Sequence, residues 1–199
     1  RINLSGSLEM KVNRIPRAPL SWRISNVMRW AYIKGWIAVF VGVPIARAFG
    51  LMTAYGKLEA ILTKANGEKI SYGVVDYRVV TNASVNFLAA PLLTDSVEIG
   101  DFKFHDSGVG ITAENVTDTA METTDGESRA TGNQTNPTSP TYRSVGTISY
   151  TTTKAITEHG VFSQSTGTTL LDRTVFSAVN VVSGDSIAFT YTLTLTPGG

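Results

Sequence analysis

The chain has 199 residues, a formal net charge of +1 and no cysteine. The absence of cysteine excludes disulfides and thiolate metal sites, and the length fits one ordinary domain with an extension. The near-neutral total hides a split: residues 1–65 carry ten Lys/Arg against two Asp/Glu, and residues 66–199 carry seven against fourteen.

Residues 1–19 hold scattered arginines with Pro16 and Pro19, and read as extended chain. No signal peptide is read at the start. Ser21 is placed to cap a helix opening at Trp22, and Ile24, Val27, Met28, Ala31 and Tyr32 recur at helical spacing. The charge-free run from Gly35 to Ala46 is shorter than the roughly 20 apolar residues of a membrane span, so it reads as a segment buried against protein, with an interfacial amphipathic anchor flanked by Trp and Arg as the lesser alternative. Val43-Pro44 is expected to break or kink the helix. A second helical run is expected over Ala46–Lys64 through Phe49, Met52, Leu58, Ile61 and Leu62, with Asn66-Gly67 as its stop.

From Lys69 onward the period changes to two. Val74, Val75, Val79 and Val80 predict strand, as do the alternations Val85, Phe87, Ala89 and Phe102, Phe104. Thr112–Thr138 is polar, acidic and rich in turn dipeptides, which predicts a long exposed loop. Strand signals resume at Ile148 and Tyr150, then at Val161-Phe162, Leu170-Leu171 and Val175-Phe176. The last strand is the clearest. Ile187, Phe189, Tyr191, Leu193 and Leu195 share one face and Ala188, Thr190, Thr192, Thr194 and Thr196 the other. Ser183-Gly184-Asp185-Ser186 predicts the turn of a hairpin from Val181-Val182 into that strand. The expected fold is mainly β: an antiparallel β-sandwich of immunoglobulin-like or jelly-roll type over 66–199, with a partly helical, basic, Trp-containing arm over 1–65.

Residues with catalytic chemistry form no convincing constellation. His105 stands beside Asp106 and His159 beside Glu158, but the tight spacing of metal ligands is missing. Ser107, Ser163 and Ser165 lack a nucleophile elbow, and Gly108-Val109-Gly110 lacks the ending of a phosphate loop. The sequence therefore reads as a non-enzyme with no cofactor and no metal site. In the arm, Arg and Trp together suit a protein surface better than nucleic acid, since both residue types are enriched as interface anchors.

Several blocks carry a resemblance. They are Phe102-Lys103-Phe104-His105-Asp106-Ser107-Gly108-Val109-Gly110, Arg129-Ala130-Thr131-Gly132, Tyr142-Arg143-Ser144-Val145-Gly146-Thr147, Ile156-Thr157-Glu158-His159-Gly160-Val161-Phe162-Ser163, and Leu170-Leu171-Asp172-Arg173-Thr174-Val175-Phe176 with the final strand. As a set they resemble tailed-bacteriophage virion proteins, among them capsid cement or decoration proteins. The resemblance covers roughly residues 74–199 and leaves the arm outside it.

It implies a structural protein made in the bacterial host cytoplasm and carried on the capsid surface of the virion. The major capsid protein is the implied partner. Arg14, Arg17, Trp22, Arg23, Arg29, Trp30, Lys34 and Trp36 are the candidate contacts. Self-association is expected, a trimer suiting a site of threefold symmetry. No small-molecule substrate and no membrane span are expected. Two alternatives stand beside this reading: a tail, neck or fibre component with a receptor- or carbohydrate-binding sandwich, and a nucleic-acid-binding protein acting through the arm.

Overall fold

The computed structural model describes residues 15–82, 102–137, 141–167 and 169–196. Arg14 and the Val85, Phe87, Ala89 alternation lie outside the described residues. The arm contains α1 (Leu20–Val27), α2 (Trp30–Ile37), a π-helical turn (Ala38–Gly42) and α3 (Val43–Ala48). Nine strands follow among the described residues: β1 (Thr53–Thr63), β2 (Lys69–Val80), β3 (Phe104–Gly108), β4 (Ala130–Thr131), β5 (Asn133–Thr135), β6 (Thr141–Ser149), β7 (Lys154–Phe162), β8 (Leu170–Val181) and β9 (Ser186–Thr196).

The strands run in the order β4-β3-β7-β8-β2-β1-β9-β6-β5, antiparallel at every junction. They make two sheets that share β2. Most of β2 pairs with β1, while Val79 and Val80 at its end pair with Arg173 and Asp172 of β8. At the opposite margin β4 pairs with β3, and β5, one residue further on, pairs with β6 of the other sheet. Gly132 is the residue between them. A Cβ there would meet the Ser144 hydroxyl, His105 Nε2 at 2.8 Å and the Lys103 carbonyl at 2.8 Å, so only glycine passes through this corner. The chain thus crosses between sheets on both sides of a sandwich.

Between the sheets lies one main core. It includes Leu58, Leu62, Val75, Ile148, Tyr150, Ile156, Val161, Phe176, Val179, Val181, Ile187, Phe189 and Tyr191. The alternation read along β9 holds, with Ile187, Phe189, Tyr191 and Leu193 buried; Thr192, on the other face, is buried as well.

Several sequence expectations change. The helix expected over Ala46–Lys64 ends at Ala48, and Thr53–Thr63 is strand β1, paired on both sides to β2 and β9. Its buried positions are Gly56, Leu58, Ala60 and Leu62, a period of two. Asn66-Gly67 is therefore the β1–β2 hairpin turn, with Gly67 at φ +84° and the Lys64 N–H bonded to the Glu68 carbonyl at 2.7 Å. The sandwich accordingly takes in Thr53–Ala65, which the division at residue 65 had assigned to the arm. The charge asymmetry survives the shift: residues 1–52 carry eight Lys/Arg and one Asp/Glu, residues 53–199 nine and fifteen.

The turn at Ser183–Ser186 forms as read, with Gly184 at φ +87° and the Asp185 N–H on the Val182 carbonyl at 3.0 Å. It is no hairpin, because β8 and β9 belong to different sheets. Both strands direct apolar side chains inward, Val179 and Val181 from one and Ile187 and Phe189 from the other, and these stack across the core instead of pairing edge to edge. Of the break or kink expected at Val43-Pro44, no break forms. A proline clashes with the carbonyl four residues back, here that of Phe40, and the wider π turn at Ala38–Gly42 relieves it, leaving one helical run from Trp30 to Ala48.

Candidate interaction surface

The arm is bolted to the sandwich at a seam. β2 and β8 pair only at Val79 and Val80; upstream, backbone groups of the two strands need other partners. One side of the arm supplies them through Trp22, Asn26 and Arg29, at the i, i+4, i+7 spacing of a helix face. Trp22 Nε1 donates to the Ser177 and Ala178 carbonyls at 3.0 and 2.9 Å, and its ring stands edge-on to Tyr72 at 4.6 Å. Asn26, 1% exposed, donates to the Val75 carbonyl at 2.7 Å and accepts from the Ser177 N–H at 3.1 Å, stitching β2 to β8. Arg29 pairs with the buried Asp76 carboxylate at 3.2 Å and donates to the Val175 carbonyl. The helix breaks at Met28–Arg29, where Arg29 adopts extended backbone, and this turns its side chain into the seam. Just before α1, the Ala18 N–H donates to the Ser71 carbonyl and the Ser71 N–H to the Pro16 carbonyl, at 2.8 and 2.7 Å.

Two of the nominated partner contacts are thereby corrected. Trp22 and Arg29 face the chain's own sandwich, because the backbone groups at the seam and the Asp76 carboxylate need what they offer. Arg17, Arg23, Trp30, Lys34 and Trp36 are exposed. Asn26, which completes the anchor, is a residue that sequence reasoning missed; a buried-face position flanked by Trp and Arg at helical spacing was its only signal.

Past the break, α2 rests on β2. Tyr32 meets Tyr77 edge-to-face at 5.7 Å, and a Cβ at Gly35 would lie 2.9 Å from that of Tyr77, so the missing side chain lets helix and strand approach closely. A groove of about 750 Å³ runs between this helix and the sheet, lined among others by Trp30, Lys34, Val39, Val43, Tyr55 and Ile111. The rest of the helical run is uncovered. Among the described residues it is the one helix long and apolar enough to cross a membrane, 19 residues with a mean hydropathy of 1.3, and none of that stretch is buried. Gly35–Ala46, expected to be buried against protein, is therefore not buried within this chain. Outward-facing apolar side chains include Leu20, Ile24, Met28, Trp30, Phe40 and Phe49, each more than half exposed.

The polar residues of the resemblance blocks form a second, enclosed cluster. His105 and His159, both fully buried, share a hydrogen bond between Nδ1 and Nε2 at 3.0 Å, and His105 Nε2 meets the Ser144 hydroxyl at 2.8 Å. They lie within strands β3 and β7, not at strand ends, and Phe189 stacks on His159 at 4.4 Å. Glu158, also fully buried, accepts hydrogen bonds from the Gly110, Glu122 and Thr123 N–H groups and from Arg173 Nε at 2.5 Å. Arg173 reaches on to Asp118 at 2.8 Å and Glu122 at 3.3 Å. Arg129 holds the far end of the same loop, with Asp106 at 2.9 Å, the Gln164 and Gly167 carbonyls at 3.0 Å, and its guanidinium 3.5 Å above the Phe162 ring. Burial raises the Asp106 carboxyl above its ordinary value, and the hydrogen bond and charge of Arg129 offset part of that.

This cluster ties the 109–129 loop to the sandwich. Its histidines have no exposed surface on which to meet a substrate, and among the described residues no group of three or more His, Asp or Glu side chains is placed to hold a metal. Among the described residues, the arm presents aromatic and aliphatic surface bordered by arginine and lysine, held on the sandwich by the seam. No protein-family model, no curated protein and no solved structure matches this chain.

Proposed function

We propose that this chain is a non-enzymatic structural protein of a tailed-bacteriophage virion, which docks on the outer capsid surface and stabilises the shell. The observation that carries the reading is the outer side of α1 and the start of α2. Leu20, Ile24, Met28 and Trp30 are exposed there beside Arg17, Arg23 and Lys34, while Trp22, Asn26 and Arg29 hold the same segment on the sandwich. Exposed Trp and Arg on a preorganised frame suit a protein partner, since little ordering entropy remains to be lost on binding. The resemblance of the sandwich blocks to virion proteins supplies the class of partner, the major capsid protein.

Cosedimentation of the purified chain with mature, DNA-free capsid shells tests this. Saturable binding is expected, weakened about tenfold or more by Trp30→Ala or Arg23→Ala, and weakened by salt because arginine and lysine take part. A native chain that fails to bind shells, or that is present in purified tails and absent from heads, overturns the capsid placement.

A further inference from the structure

The apolar surface of the arm divides in two. The α1 side is interspersed with Arg17, Arg23 and Lys34. The later part, from the π turn through α3 to the start of β1, exposes Phe40, Val41, Ile45, Phe49, Leu51 and Met52, at 52, 45, 54, 78, 58 and 76%. Its one charged residue is Arg47, itself exposed. We infer that this second face is a self-association surface, covered in solution by the same face of another copy of the chain.

Area comes first. At about 200 Å² for a large apolar side chain, these six residues leave roughly 700 Å² uncovered, above the few hundred Å² common on a monomer and close to the ~800 Å² each partner buries in a standard interface. The face is also rigid: Leu51 and Met52 run directly into β1, which is paired on both sides, and Gly35 seats the helix on Tyr77. Little freedom is lost when such a face is covered.

The choice of occupant follows from charge and geometry. With Arg47 as its one charge, the face asks for an almost uncharged partner face, and a second copy presents one that matches by symmetry. A lipid bilayer fits less well. The inner side of the helix is committed to β2, so the run cannot be surrounded by lipid as a spanning helix is. Lys34 ahead of the face and Arg47 within it carry like charges, so paired copies repel there, and salt strengthens the association by screening it. Salt acts in the opposite direction on shell binding through the α1 side. The inference does not depend on the virion reading.

Light scattering coupled to size-exclusion chromatography, on the full chain and on Val41→Glu/Ile45→Glu, tests it. Both positions are about half exposed, and unchanged circular dichroism of the variant confirms its fold. The native chain is expected as an oligomer at micromolar concentration, tighter in about 1 M salt. The variant is expected to associate at least about tenfold more weakly. A native chain that stays monomeric at about 100 µM overturns the inference, as does an oligomer that the two substitutions leave intact. Flotation of the native chain with phosphatidylcholine vesicles, lost in the variant while the lipid-free chain is monomeric, overturns it in favour of a lipid surface. The two proposals fail separately: a monomer that binds shells sinks only this one, and an oligomer indifferent to shells sinks only the capsid placement.

Discussion

Single side chains join distant parts of this chain, and their removal has signed consequences. Asp185, 1% exposed, accepts from the Val182 N–H at 3.1 Å, the Ala65 N–H at 2.9 Å and Lys64 Nζ at 3.2 Å, locking the β8–β9 corner to the β1–β2 hairpin. Burial pushes its carboxyl up, but these donors outweigh burial and hold it below the ordinary 3.8. A carboxyl depressed in the folded state stabilises fully above that value, and the stabilisation is lost as pH falls through the folded pKa. Asp185→Asn is expected to cost about 1–2 kcal/mol near neutral pH. Thermal melts should show the gap between variant and native chain closing as pH falls below 3.8. Arg173 is the second case. Arg173→Met leaves Glu158, which has no exposed surface, without its cation, and a loss of about 3–5 kcal/mol in urea unfolding is expected. Adding Glu158→Gln to Arg173→Met should recover part of that loss, because it removes the stranded charge.

At the scale of elements, β9 was legible and β1 was not, for a physical reason. Along β9 every inward position from Ile187 to Leu193 is a large apolar residue, so the period of two is plain. Along β1 the inward positions are Gly56, Leu58, Ala60 and Leu62, and two of the four have almost no side chain. Ile61, on the outer face, then completes a false helical spacing with Leu58 and Leu62. The neighbouring strands decide the matter, since β2 and β9 pair with both edges of this segment. The arm shows the same limit. Its helical spacing was readable, but which side faces its own sandwich depends on the seam between β2 and β8, a gap made by residues far away in the chain. Asn26→Ala leaves the Val75 carbonyl and the Ser177 N–H without that partner, and a loss of about 2–3 kcal/mol is expected. Limited proteolysis between α1 and β1 should quicken in step with it, since the anchor and not the helix propensity holds the arm in place.

For the molecule as a whole, the two crossings between sheets matter more than any one strand. The crossing at Gly132 depends on a missing side chain. Gly132→Val drives carbon atoms toward His105 Nε2 and the Lys103 carbonyl, each 2.8 Å from the first atom added, and one of them is backbone that cannot step aside. A loss of more than about 3 kcal/mol is expected in denaturant unfolding, with exchange of amide hydrogens in β4 and β5 rising first. The fold class was legible because turns and alternation are local signals. This closure was not, since it joins β3 to β6 through a two-residue and a three-residue strand too short to show any period.

Those two short strands have a further effect. They are the margins of the strand order, so the backbone donors and acceptors a margin offers to a neighbouring molecule are few. Long open margins are what let β proteins stack into ribbons and fibres when many copies are held close together. Among the described residues, copies crowded side by side meet only a two-residue and a three-residue strand at those margins, which are short templates for main-chain extension.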